Sequence, residues 1–415
     1  MLNSITLILI FLTKKILTKE PKLLFVYEHF RHGARAPCSF LNEDSKDIFG
    51  ELWDGECEMT KIGIMQHYIL GSRNRERYKN FFTKNFTFYD ILVYSTERNR
   101  CIQSAQAQLR GFFNNSLEKI IPIHTIEYSN NIPVFYYDKK ESCIILNKYR
   151  KNNYFSPKII SFMGDFIFKY FSLLNKISNE HHLNINYTLV EIVCGAYICD
   201  YFDNRNISLI NQLNINKDEL YKDCIEYNHL KHFEIKLGND AEFSAILASS
   251  LNFKNLIGNM ESIINKVDNS PKYVLYSGHD TTLSSMQVFL KNAFNIEIQY
   301  IPFASQMVIH LIQKENGLYV NYYFNDKLLL DIPYQDFKNK IEKMLWSQKE
   351  IENFCKIKKE ISFIILFFIY SSIFLLMISG IIICYLKNNY FVSSKYSSFE
   401  NIRKYSFSEN HVETK

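Results

Sequence analysis

The sequence predicts an α/β fold: a mixed, largely parallel sheet flanked by helices, with an inserted helical cap subdomain and a C-terminal transmembrane helix. Three observations lead there. Runs at residues 23–27, 88–94 and 272–278 are apolar or β-branched, and each breaks off into charged residues, as strands do at the ligand edge of open α/β sheets. Helical spacing follows the first and second runs, the alternation that makes parallel sheets. Residues 361–386 carry no charge and exceed the ~20 apolar residues that cross a bilayer core.

The 415 residues suffice for one large domain or two modest ones, and 47% hydrophobic with 22% charged residues is a globular composition. The net charge of +5 is concentrated at the ends: residues 1–20 hold three Lys and one Glu, and residues 387–415 hold five Lys/Arg and three Glu. The body between carries 40 basic and 39 acidic residues, which excludes a general polyanion surface and a nucleic-acid partner.

Ser4–Leu12 is too short to span a bilayer and suits the apolar part of a signal peptide, taken as residues 1–18; a first buried strand is the competing reading. Lysines lie on both sides of the 361–386 run, so charge does not orient it. The signal peptide does: it places a domain of residues 19–358 outside the cytosol and leaves 387–415 as a cytoplasmic tail. Sequons at Asn85, Asn114, Asn186 and Asn206 agree with that side as glycosylation sites. Of nine cysteines, Cys384 lies in the apolar run, and the other eight are available for disulfides in an oxidising lumen. None has metal-ligand spacing.

Taken in order, the first run leads into Arg31-His32-Gly33-Ala34-Arg35-Ala36-Pro37. A neutral imidazole is a nucleophile, and two guanidiniums close by are fork-shaped donors for a phosphate. Residues 58–80 follow as a helix, with Thr60 as N-cap and an apolar face of Ile62, Met65, Ile69 and Leu70. His67 on it reads as a surface or packing residue. The second run ends in Ser95-Thr96-Glu97-Arg98-Asn99-Arg100, before a helix over 101–113 whose N-terminus favours an anion. Residues 140–240 read as the helical cap. The third run ends in His279-Asp280, and two further strands, near 307–313 and 318–324, read as an antiparallel edge pair. Three strand ends thus converge on two His, three Arg and one Asp, a set suited to a phosphate.

RHGARAP, the Thr60–Arg75 stretch, STERNR and the His279-Asp280 pair, in this order, resemble the histidine acid phosphatase family, the lysosomal and prostatic branch above all. The resemblance implies an acid phosphatase that hydrolyses phosphate monoesters through a phosphohistidine. His32 would attack, Asp280 would protonate the leaving group, and Arg31, Arg35, Arg100 and His279 would hold the phosphate. No metal or cofactor is implied, because arginines neutralise the charge. Glu97 stands where the family has Asp. The family also implies a Cys143–Cys355 disulfide and leaves Cys199 without its usual partner, to pair with Cys194 or Cys224 or stay free; Cys38 with Cys57 is a further pairing.

A single-pass anchor, a lysosomal, endosomal or cell-surface location, and a sorting adaptor at Tyr396–Phe399 fit that branch, with a homodimer left open. The rival readings are a narrower inositol-phosphate or lysophosphatidic-acid phosphatase, or an inactive receptor on the same fold. Glu28 and His29 are ionisable residues in a strand that should be buried, and they require partners.

Overall fold

The computed structural model describes residues 20–351, apart from 40–41, 83–86, 115, 117–119, 127–152, 237–240 and 348, together with 367–383 and 385. Its contacts divide the chain into Met1–Glu352 and Asn353–Lys415.

Seven strands in the first unit form one sheet: β1 (Lys22–Arg31), β2 (Ile91–Thr96), β3 (Ile123–Ile126), β4 (Tyr273–Gly278), β5 (Gln306–Lys314), β6 (Gly317–Phe324) and β7 (Lys327–Pro333). Their order is β3-β2-β4-β1-β5-β6-β7. The first four pair in parallel, and β5 to β7 pair antiparallel. β1 runs on to Arg31, beyond its apolar stretch, because neighbours on both sides hold it: His29 pairs with Tyr276 of β4 and Met307 of β5.

Alternate β1 residues feed two cores, as the pleat requires. Phe25 and Tyr27 pack with α8 (Ala241–Ile264), α9 (Asp280–Phe294) and α10 (Tyr334–Glu342). Val26 and Phe30 pack toward α2 (Asn99–Phe112), with Tyr78 just past α1 (Lys61–Arg77). A third cluster fills the cap, which comprises α3 (Pro157–Lys169), α4 (Phe171–His181), α5 (Tyr187–Phe202), α6 (Ser208–Gln212) and α7 (Lys217–Leu230), followed by one π-helical segment, Lys231–Lys236. The fold is therefore the expected mixed sheet with flanking helices.

Two expectations are corrected. Thr60 does cap α1, accepting from the Gly63 N–H at 3.2 Å, but Met65 and Ile69 are exposed. The buried face is Gly63, His67, Leu70, Gly71 and Asn74, because small residues let α1 and α2 approach and polar ones meet a buried network. The strands near 307–313 and 318–324 are not an edge pair, since β5 lies beside β1 and the edge is β7. A hairpin with Asn325 and Asp326 both at positive φ joins β6 to β7, whose Leu329, Leu330 and Ile332 are half-buried against the core.

Disulfides join Cys38 to Cys57 and Cys194 to Cys224, the latter tying α5 to α7, while Cys101 and Cys199 are free and buried. Cys143 and Cys355 lie outside the described residues, as do the signal segment 1–18, Asn85 and the tail with Tyr396–Phe399. Asn114, Asn186 and Asn206 are exposed. In the second unit, residues 367–383 form an uncharged helix. Among the described residues no helix is long and apolar enough to cross a membrane, and the rest of the 361–386 run, save residue 385, lies outside them.

Candidate active site

The end of β1 delivers Arg31 and His32 beside the end of β4, where the His32 N–H bonds to the Gly278 carbonyl at 3.0 Å. The turn that follows is fixed from two helices. Gly33 N–H donates to Ser104 Oγ of α2 at 3.1 Å, and Ala34 N–H to Gln66 Oε1 of α1 at 2.8 Å. His32 is buried, and its Nδ1–H donates to the Gly33 carbonyl at 2.9 Å. A carbonyl only accepts, so the lone pair lies on Nε2. Burial, then the guanidiniums of Arg100, Arg35 and Arg31, hold the imidazole well below its usual range, so it is neutral.

Arg31 is gripped on two sides: Nη1 donates to the Ile301 carbonyl at 2.8 Å, and Nη2 pairs with Asp280 Oδ2 at 2.8 Å. Arg35 donates to the Ala36 carbonyl at 2.7 Å and meets the free Cys199 sulfur at 3.7 Å. Both guanidiniums lie over the Phe303 ring, at 4.2 and 5.7 Å, and the ring also packs 5.8 Å from His32. Arg100 occupies the first turn of α2, where burial and Arg35 lower it to about 10. The Nε atoms of Arg31, Arg35 and Arg100 are buried with no hydrogen-bond partner among the described residues. Donors so placed require an acceptor.

His279 caps α9. Its ring stands edge-on to His32 at 5.6 Å, and its Nε2 lies 3.1 Å from Thr96 Oγ1. Asp280 accepts from the Thr281 N–H at 2.8 Å through Oδ1, and its Oδ2 is also 3.4 Å from His232 Nε2. All six residues singled out around the phosphate in the sequence thus meet in one place. Arg98 is the helix N-cap residue instead, and shares with Arg100 a cleft of about 470 Å3 lined by Glu56, Glu58 and Glu97.

Beneath the site, Glu28 is fully buried. It accepts from Asn74 at 3.0 Å, from Gln108 at 2.6 Å and from the Tyr273 hydroxyl. Burial raises its pKa, against the opposing pull of these bonds. The ring of His67 lies between two acceptors, with Gln108 Oε1 3.2 Å from Nδ1 and the Arg31 carbonyl 3.1 Å from Nε2, and burial lowers it to about 4, so its single N–H serves one of them. Glu28 is therefore an anchor for the strand that carries the site, and His67 is more than packing. His29 faces the opposite side, stacked on Tyr276 at 5.5 Å, and burial lowers it to about 3.

Sequence reasoning missed three residues here. Phe303 and His232 sit in segments with no motif, and Cys199 reads in sequence only as a disulfide candidate. The single available signal was the polarity of Glu28-His29, which pointed to a buried network without naming its members.

Three comparisons place this geometry. The pattern of the histidine phosphatase superfamily (branch 2) matches residues 22–325. Lysosomal acid phosphatase of Xenopus laevis is 26% identical over 351 residues, covering 79% of this chain and 75% of that protein. Prostatic acid phosphatase of Bos taurus is 26% identical over 329 residues, covering 74% and 79%. Among solved structures, a Hafnia alvei phytase in complex with tartrate superposes with a TM-score of 0.59 at 13% identity, over 80% of this chain and 98% of that one, a likeness of fold. With one continuous family match running from the start of β1 to the end of β6, the chain belongs to the histidine phosphatase superfamily, branch 2.

Proposed function

We propose that this phosphatase hydrolyses phosphate monoesters in acidic medium through a phosphohistidine at His32 Nε2. One observation carries the reading: a neutral, tautomer-fixed histidine lies among three arginines whose Nε donors are buried without partners. Arg31, Arg35 and Arg100 would hold the non-bridging oxygens and spread the charge of the transition state, with His279 beside them. The Nε2 lone pair forms the N–P bond as the ester P–O bond breaks, and Asp280 supplies the proton that the departing oxygen takes. Water then forms the new P–O bond, the N–P bond breaks, and Asp280 takes back a proton. Acid does not silence the nucleophile, because burial and the arginines keep His32 neutral there.

The purified full chain in detergent should hydrolyse p-nitrophenyl phosphate below pH 6 without added metal, and His32→Ala should abolish turnover. Activity that survives this substitution, or that depends on an added divalent ion, overturns the mechanism.

The same reading places the enzyme on the lumenal or outer face of a membrane, anchored by the 361–386 run. The uncharged helix 367–383, with nearly every apolar side chain exposed, supports it, as do relatives named lysosomal acid phosphatase. Retention in the pellet after carbonate extraction is the expected result.

A further inference from the structure

We infer that His232, in the cap, supplies and reclaims the proton that Asp280 passes to and from the leaving group. The inference rests on the hydrolysis proposed above. Asp280 is held in a way that opposes the acid role by itself. Its Oδ2 is 2.8 Å from the Arg31 guanidinium, its Oδ1 accepts the Thr281 N–H at 2.8 Å, and it occupies the first position of α9. A guanidinium, a backbone N–H and a helix N-terminus all favour the ionised carboxylate. A carboxylate has no proton to give, so a donor within reach of it is required.

His232 meets that requirement. It is buried, its Nε2 is 3.4 Å from the same Oδ2, and it stands on the only π-helical segment among the described residues, Lys231–Lys236. Such i→i+5 turns are rare and recur at functional sites. The separation is that of a loose ion pair, slightly longer than a good hydrogen bond, as is common in catalytic pairs before substrate binds. In the transfer, the His232 Nε2–H bond breaks as an Asp280 O–H bond forms, and that O–H bond breaks as the ester oxygen takes the proton. When water attacks phosphohistidine, its proton returns through Asp280 to His232, so the cycle closes with no net proton gained or lost by the pair. His232 acts through Asp280 and is a positioning residue, not one that touches substrate.

The test exploits leaving-group basicity, which a merely structural role would not sense. A nitrophenolate departs with little protonation, whereas a glycerol alkoxide requires it. In the full chain, His232→Gln should lower kcat/KM for β-glycerophosphate by ~10²-fold, as removal of a general acid does. The loss on p-nitrophenyl phosphate should be at least about tenfold smaller. Competitive inhibition by inorganic phosphate reports that the phosphate site is intact, and His232→Asn provides the same comparison should the Gln variant fail to fold. Because the proton passes through Asp280, His232→Gln added to Asp280→Asn should cost nothing further on β-glycerophosphate. Equal losses on both substrates, no loss on either, or additive losses in the double variant overturn the inference. A wild type inactive on both esters, or an active His32→Ala variant, overturns the proposed function instead.

Discussion

Gly33 and Gly63 lie backbone against backbone: a Cβ on Gly33 would come 2.4 Å from the Gly63 carbonyl oxygen, and one on Gly63 would come 2.1 Å from that of Ala34. No side chain is available to yield at either contact. Gly63→Ala should therefore push the His32 turn off α1, costing ~1–3 kcal/mol of stability as overpacking does. Thermal unfolding and kcat/KM measured on the same sample should fall together.

Arg100 and Arg98 are two residues apart but are placed differently. Arg100→Ala should reduce kcat/KM by ~10²–10³-fold, the usual loss when one transition-state donor is removed. Arg98→Ala should cost well under tenfold. Phosphate ester kinetics on the two variants, side by side, decide between them, and a reversed order would show that the wrong arginine has been placed on the phosphate.

Glu28 gathers three donors from three elements in a dry interior. Glu28→Ala leaves all three unsatisfied, and removing one partner from a buried polar network typically costs ~3–5 kcal/mol. Urea unfolding should show that loss, with the residual activity falling because Gln108 no longer steadies His67 beneath Arg31.

Asp200 of α5 is buried 4.0 Å from Arg205, and burial together with the nearby Asp47 carboxylate raises its pKa from 3.8 to about 9. Between those values the folded state keeps a proton that the unfolded chain releases. Stability from this group is thus complete below pH ~4 and is lost as pH rises toward about 9, at up to ~1.4 kcal/mol per pH unit. Asp200→Asn should flatten that slope, so chemical unfolding at pH 5 and pH 8 should separate wild type from variant mainly at the higher pH.

How much of this was legible in the sequence follows from contiguity. RHGARAP, STERNR and His279-Asp280 are each consecutive residues at the end of an apolar strand, so the pleat alone carries them to one edge. Phe303 and His232 arrive singly, from a connection between α9 and β5 and from the cap, and no local period marks a lone residue. The partners of Glu28 lie on α1, α2 and β4, so only the assembled sheet reveals them. The α1 face was misread because the usual apolar stripe is replaced there by glycine contacts and polar bonds.

The position of β1 bears on how the protein is made. β1, the first strand among the described residues, has β4 and β5 as its sheet neighbours, and these are encoded some 250 residues later. At ~5–20 residues per second, the nucleophile's strand waits roughly 10–50 s for its partners. Until then it is an unpaired, apolar segment, and the newborn chain can hold no phosphate. Biosynthesis itself thus delays the birth of the enzyme until nearly all of the catalytic domain is complete, and chains truncated before residue 273 should depend on chaperones and remain inert.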